Sequence, residues 1–125
     1  MVEVRLLASI EVVALALSDP IRLRILDLLA AGRDGGACCS PKNDDSPRAI
    51  CSCDILMKLR ISPSRLSYHV KELKAAELIS EQRRGRWIYY CLNPQALGEF
   101  IRQLGSRYMS QTPGAAGGQD WSGRR

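Results

Sequence analysis

Histidine and phenylalanine each occur once in the 125 residues, and aromatic side chains make up only 6% of the chain. No Ser-His-Asp set, paired carboxylates or phosphate-cradling glycine loop can be assembled from what is present, so catalysis has no support and a non-enzyme is expected. No apolar run reaches transmembrane length. The N-terminus lacks the basic start, apolar block and small-residue cleavage site of a secretory signal. A cytoplasmic protein with no membrane partner is therefore expected. Five cysteines, an odd number, in a reducing compartment argue against a disulfide framework. They point instead to metal binding, redox chemistry or inert buried thiols. No internal repeat is visible.

What is present suits one compact domain, with 46% hydrophobic residues. The net charge of +5 is unevenly placed. Residues 1–50 hold six basic and seven acidic side chains, residues 51–92 eight and four, and residues 93–125 four and two. The excess coincides with the stretch Arg60–Leu92, which reads as a DNA-reading helix followed by a basic hairpin.

Ser62-Pro63 supplies a capping hydroxyl and a residue suited to the first helical position. Leu66, Val70 and Leu73 then recur at i, i+4 and i+7 as one apolar stripe. Ser64, Arg65, Ser67, Tyr68, His69 and Lys71 fall largely off that stripe, as polar groups of a recognition helix that meets base edges and phosphates. After Leu78 the period becomes two. Ile79, Glu81 and Arg83 alternate toward Arg84-Gly85-Arg86, and an aromatic, β-branched run returns from Trp87 to Leu92, which is a hairpin pattern. Arg83, Arg84 and Arg86 at its tip would be costly in a core, so the tip is exposed and placed to lie along a phosphate backbone. A helix of this kind followed by such a hairpin predicts a winged helix-turn-helix. The fold class is mainly α (α+β), five helices with a β-hairpin wing.

The flanks complete the five. Residues 3–17 predict a helix that is apolar over a wide arc, including Leu6, Leu7, Ile10, Val13, Ala14 and Leu17. Ser18-Asp19-Pro20 stops it and starts a second over Ile21–Ala31, with Ile21, Ile25, Leu28 and Leu29 inward. Residues 53–60 form the short first helix of the helix-turn-helix, with Ile55, Leu56 and Leu59 inward. After Asn93-Pro94, Leu97, Phe100, Ile101, Leu104 and Tyr108 make an apolar seam. Surplus apolar surface on the first and last helices predicts a symmetric homodimer through both. The domain spans 1–110, with a cysteine-containing loop insertion at 33–50 rich in Gly, Pro, Ser, Asp and Asn. Residues 111–125 read as a flexible tail.

Cys51-Ser52-Cys53-Asp54 lies where that loop enters the short helix. Positions i and i+2 of a regular helix point to different faces, so both thiols reach one ion only if Cys51 stays outside the helix or the first turn is distorted. Thiolates at a helix N-terminus are stabilised by the macrodipole and free amides. Cys38 or Cys39 would add a third or fourth sulfur; thiolate-only coordination selects soft ions. Cys91, on a hairpin strand far along the chain, reads as a spectator.

The segments SDPIRLRILDLL, AICSCDILMKL, ISPSRLSYHVKELKAAELI and RRGRWIYYCLNP together resemble the ArsR/SmtB family of dimeric winged-helix repressors, over roughly residues 5–108. The resemblance implies a symmetric dimer on double-stranded operator DNA that blocks transcription until an inducer binds, with no cofactor needed for DNA binding. Cys51-Ser52-Cys53-Asp54 resembles the family's CxCD box, used by members that sense arsenite, antimonite, cadmium or lead. The arsenite-sensing box often has a further Cys about three residues on, where this chain has Leu56 and Met57. That departure raises the weight of Cys38 and Cys39. The family's zinc site on the last helix needs Asp and His, and residues 94–110 hold neither. The expected inducer is As(III) or Sb(III), with Cd(II), Pb(II) or Hg(II) sensing and a thiol redox or persulfide switch as alternatives. A small thiol-dependent enzyme is a further reading, encouraged only by the vicinal Cys38-Cys39 pair.

Overall fold

The computed structural model describes residues 9–32 and 48–109. Loop residues 33–47, with Cys38 and Cys39, and the tail at 111–125 lie outside the described residues. In chain order the elements are α1 (Ile10–Ala16), α2 (Pro20–Ala31), β1 (Ile50–Cys51), α3 (Ser52–Leu59), α4 (Pro63–Ala75), β2 (Ile79–Arg84), β3 (Trp87–Leu92) and α5 (Pro94–Leu104). A π-helical turn, Gly105–Met109, follows. Five helices and a hairpin match the expected class, and the boundaries are chemically marked.

Of the first helix, expected over 3–17, residues 3–8 with Leu6 and Leu7 lie outside the described residues, and α1 is entered at Ile10. Ser9 is extended and its hydroxyl accepts from Val12 N, so the chain cannot be helical through Ser9. Asp19 caps α2, its Oδ1 accepting from the amides of Ile21 at 2.7 Å and Arg22 at 3.3 Å. α2 ends at Gly32, whose φ of +82° favours glycine. The Arg48 guanidinium returns from beyond the loop to donate to the Ala30 carbonyl, and a Cβ on Gly32 would sit 3.2 Å from it.

The sheet has one strand more than the hairpin. β1, only two residues long, pairs antiparallel with β3, giving the order β1-β3-β2. So short a strand leaves no alternation to read in a sequence. The hairpin turn consists of Gly85 and Arg86 between paired Arg84 and Trp87. Gly85 takes φ +64°, as the first central position of a two-residue hairpin turn with glycine there requires.

The core lies where α2, α3 and α4 meet the sheet. Ile25, Ile55 and Leu73 are fully buried, joined by Leu29, Leu66, Val70, Ile79 and Tyr90. Each such side chain contributes about 1.5–3 kcal/mol by leaving water. α5 differs: Ala96 is its only buried residue. Its apolar residues Leu97, Ile101 and Leu104 are exposed, as are Tyr108 beyond it and Val12 and Leu15 on α1.

Candidate metal centre and nucleic-acid interface

Cys51 belongs to two elements. It is the last residue of β1, paired with Tyr89, and the N-cap of α3 with extended backbone (φ −70°, ψ 146°). It therefore stays outside the helix while Cys53 sits in the first turn, the arrangement that two cysteines spaced i and i+2 need to converge. The Sγ atoms are 3.2 Å apart. Two sulfurs bonded to one ion at about 2.3 Å each must lie within roughly 4.6 Å of one another, so this spacing admits a shared soft ion. Cys51 is buried and makes no side-chain capping bond. Asp54, in the same first turn, is also buried, and its Oδ1 has no hydrogen-bond partner. Such an open acceptor typically costs about 1–3 kcal/mol.

Ala49, Cys51 and Tyr89 form a small second apolar cluster against which Cys53, Trp87 and Cys91 pack. Successive strand residues alternate faces, so Tyr89 and Cys91 share one side of β3 with Cys51 opposite. Cys91 is thus a neighbour of the thiol pair although distant in sequence. Cys51 and Cys91 are free thiols. Among the described residues no three Cys, His, Asp or Glu side chains converge as a metal site.

The turn to α4 runs through Arg60, in the left-handed conformation (φ 56°), and Ser62 caps α4 by accepting from Arg65 N at 3.2 Å. Leu66, Val70 and Leu73 face the core, which turns Ser64, Arg65, Ser67, Tyr68 and Lys71 to solvent. His69 is placed otherwise: it is buried, and its Nδ1 accepts from Arg22 Nε at 3.2 Å. Five of the six polar residues expected on the recognition face are exposed together, and the sixth packs inward against α2.

In the hairpin Arg83, Arg84 and Arg86 are all exposed. Arg83 donates to Glu81 at 3.0 Å, and Glu81 also accepts from Lys74 of α4 at 2.6 Å. The Lys74 hydrogen bond, opposed by burial and aided by Arg83, holds the Glu81 carboxyl below its usual 4.5. Arg86 lies over the Trp87 ring at 5.1 Å.

The family model described as "Bacterial regulatory protein, arsR family" matches residues 46–81, from the approach to the thiol pair through α4 into β2. The transcriptional repressor SdpR of Bacillus subtilis is 37% identical over 71% of this chain and 81% of its own length. The chain belongs to the arsR family. The arsenical resistance operon repressor of Staphylococcus aureus is 34% identical over 70% of this chain and 69% of its own. Among solved structures, an ArsR-like transcriptional regulator from Rhodococcus sp. RHA1 covers 86% of this chain and 84% of its own, at 23% identity and a TM-score of 0.65. HlyU from Vibrio cholerae covers 78% and 89%, at 20% identity and a TM-score of 0.52. Both show the fold alone.

This member of the arsR family is a winged helix-turn-helix transcriptional repressor and not an enzyme. No helix among the described residues is long and apolar enough to cross a membrane. Its structure also brings forward a residue that sequence reading passed over. Arg22 is buried on α2, and a signal for it existed: Arg22, Ile25 and Leu29 fall at i, i+3 and i+7, so a guanidinium sits on the core stripe. A charge there needs partners.

Proposed function

We propose that this repressor senses a metal or metalloid in the cytoplasm and leaves its operator when As(III) or Sb(III) binds the thiolates of Cys51, Cys53 and one of Cys38 or Cys39. The observation that carries the reading is the 3.2 Å approach of Cys51 and Cys53 sulfurs at the joint between β1 and α3. The arsenical resistance operon repressors among its relatives support the choice of ion. Drawing both sulfurs around one ion alters the first turn of α3. That helix packs on α2 and β3 and leads directly into α4, so its shift changes how the two recognition helices of a dimer are spaced. The dimer forms through α1 and α5, whose apolar faces are exposed in the monomer. To act as an inducer the ion must favour the released form by about 1–3 kcal/mol, because a ligand shifts an equilibrium only by its differential affinity.

A thiol redox or persulfide switch is the second reading. Cys91 shares the sheet face of Cys51 but does not converge with Cys51 and Cys53 as a three-ligand set. Cd(II), Pb(II) or Hg(II) would be selected by a larger sulfur set. The test is titration of the reduced full-length protein on its own promoter DNA, anaerobically, with each ion in turn, followed by fluorescence anisotropy. Release at near-stoichiometric As(III) or Sb(III) is expected. The Cys51→Ser and Cys53→Ser variants are expected to bind DNA within about threefold of the parent and to stay bound. Release of both variants by the ion would sink the mechanism, and release by oxidant alone, reversed by dithiothreitol, would favour the redox switch.

A further inference from the structure

One guanidinium joins three helices. Arg22, on α2, donates from Nε to His69 Nδ1 on α4 at 3.2 Å. From Nη1 it donates to the carbonyls of Leu15 at 3.3 Å and Ala16 at 3.5 Å. Those are the last but one and the last carbonyls of α1, at the negative end of its dipole, and the Leu15 carbonyl also accepts from Ser18 N at 3.1 Å and Ser18 Oγ at 2.7 Å. The Arg22 Cζ also stands 5.6 Å from the Tyr68 ring centroid, and Tyr68 packs edge-on against His69 at 5.0 Å. Tyr68 is 54% exposed on the outward face of α4, whereas Arg22 is only 8% exposed. A buried cation thus grips the end of α1 with one edge and the recognition helix with its other edge and its face.

We propose that Arg22 is a positioning residue for operator recognition: through His69 and the Tyr68 ring it sets the recognition face of α4 relative to the end of α1. The inference rests on the reading that the exposed face of α4 meets base edges. Tyr68 without this brace keeps its place on the helix but loses the cation beneath its ring and the fixed neighbour beside it. Readout of base edges depends on such placement, whereas attraction to the phosphate backbone depends on the number of surface cations. Arg22 is buried and adds little to that number. Losing it therefore lowers discrimination between operator and random DNA and leaves random-DNA affinity nearly unchanged. Lysine is not equivalent, since an ammonium has neither the planar fork for two helices nor a flat face for the ring.

The experiment measures affinity for the protein's own promoter fragment and for a random duplex of equal length, by anisotropy, with full-length Arg22→Lys, His69→Leu, His69→Gln and Arg65→Ala. The expected result is an operator-to-random ratio lowered about tenfold in Arg22→Lys and His69→Leu, with random-DNA affinity within about twofold of the parent. In His69→Gln, whose amide oxygen accepts from Arg22 Nε, most of the ratio returns. If Arg22→Lys does not fold by circular dichroism, the two His69 variants decide. An unchanged ratio in His69→Leu, or a loss in His69→Gln as large as in His69→Leu, overturns the proposal. A ratio lowered by Arg65→Ala alone would reject the brace and keep base reading by α4; a ratio untouched in every variant would reject base reading itself.

Discussion

His69 is an imidazole whose folded environment prefers it neutral. Burial is the leading cause, and it holds the ring below its ordinary value of 6.5. Asp19 acts against this, Arg22 and Arg65 reinforce it, and Glu72 opposes it. The geometry agrees, because the lone pair on Nδ1 is the acceptor for Arg22 Nε, which leaves the proton on Nε2. A protonated ring would set two donors against each other. The folded value being depressed, the unfolded chain takes up the proton first, so the stabilisation is full above about pH 6.5 and is lost as pH falls through the lower folded value. Thermal melts of the parent are expected to drop between pH 7.5 and 5.5 by more than those of His69→Gln, which has nothing to titrate. Equal drops would mean that His69 is not the group responsible. At the same scale Cys51 shows how one residue serves two structures, ending a strand and capping a helix, and so comes to stand beside Cys53.

In the proposed reading, the helix-turn-helix and the hairpin divide the work of holding DNA. The outward face of α4 offers short hydroxyls, Arg65, Tyr68 and Lys71, groups able to read base edges, while the hairpin offers cations on a twisted two-stranded arm. Glu81 spans the two, gripping Lys74 at the end of α4 and Arg83 on β2. Part of the Arg83 charge is thereby balanced within the protein. Arg84→Ala is expected to weaken operator and random DNA alike and to reduce the salt slope of binding by about one. Arg65→Ala is expected to cost about 1–3 kcal/mol on the operator and little on random sequence. Anisotropy titrations at several salt concentrations separate the two, and equal losses on both DNAs for Arg65→Ala would argue against base readout.

For the molecule as a whole, α5 is the element the monomer leaves unfinished. Ala96 is buried, but Ile101 is 60% exposed and Leu15 of α1 68%, so both terminal helices carry exposed apolar side chains. In the proposed dimer a second copy covers these residues and spaces two recognition helices for a two-fold operator. Ile101→Glu puts a charge among them without touching the core. Sedimentation equilibrium is expected to show a monomer with native circular dichroism, and operator affinity is expected to fall by about 100-fold or more as two-site binding is lost. A variant that remains dimeric with unchanged affinity would place the interface elsewhere.

Local chemistry determined most of the elements from the sequence alone. Ser62-Pro63 and Asp19-Pro20 start helices, Gly85 turns the hairpin, and Leu66, Val70 and Leu73 define which face of α4 turns inward, because capping, left-handed φ and helical period are properties of a few adjacent residues. The CxC pair was legible for the same reason, down to the condition that Cys51 remain outside the helix. Contacts between distant segments were decided by tertiary structure. β1 exists only because β3 is there to pair with Ile50 and Cys51, and that pairing brings Cys91 to the face of the thiols. His69 reads as polar surface until Arg22, forty-seven positions earlier, turns out to occupy the core stripe of α2 and to need an acceptor. A buried charge takes its partners from whatever the fold sets beside it, and no period or spacing along the chain records which residue that will be.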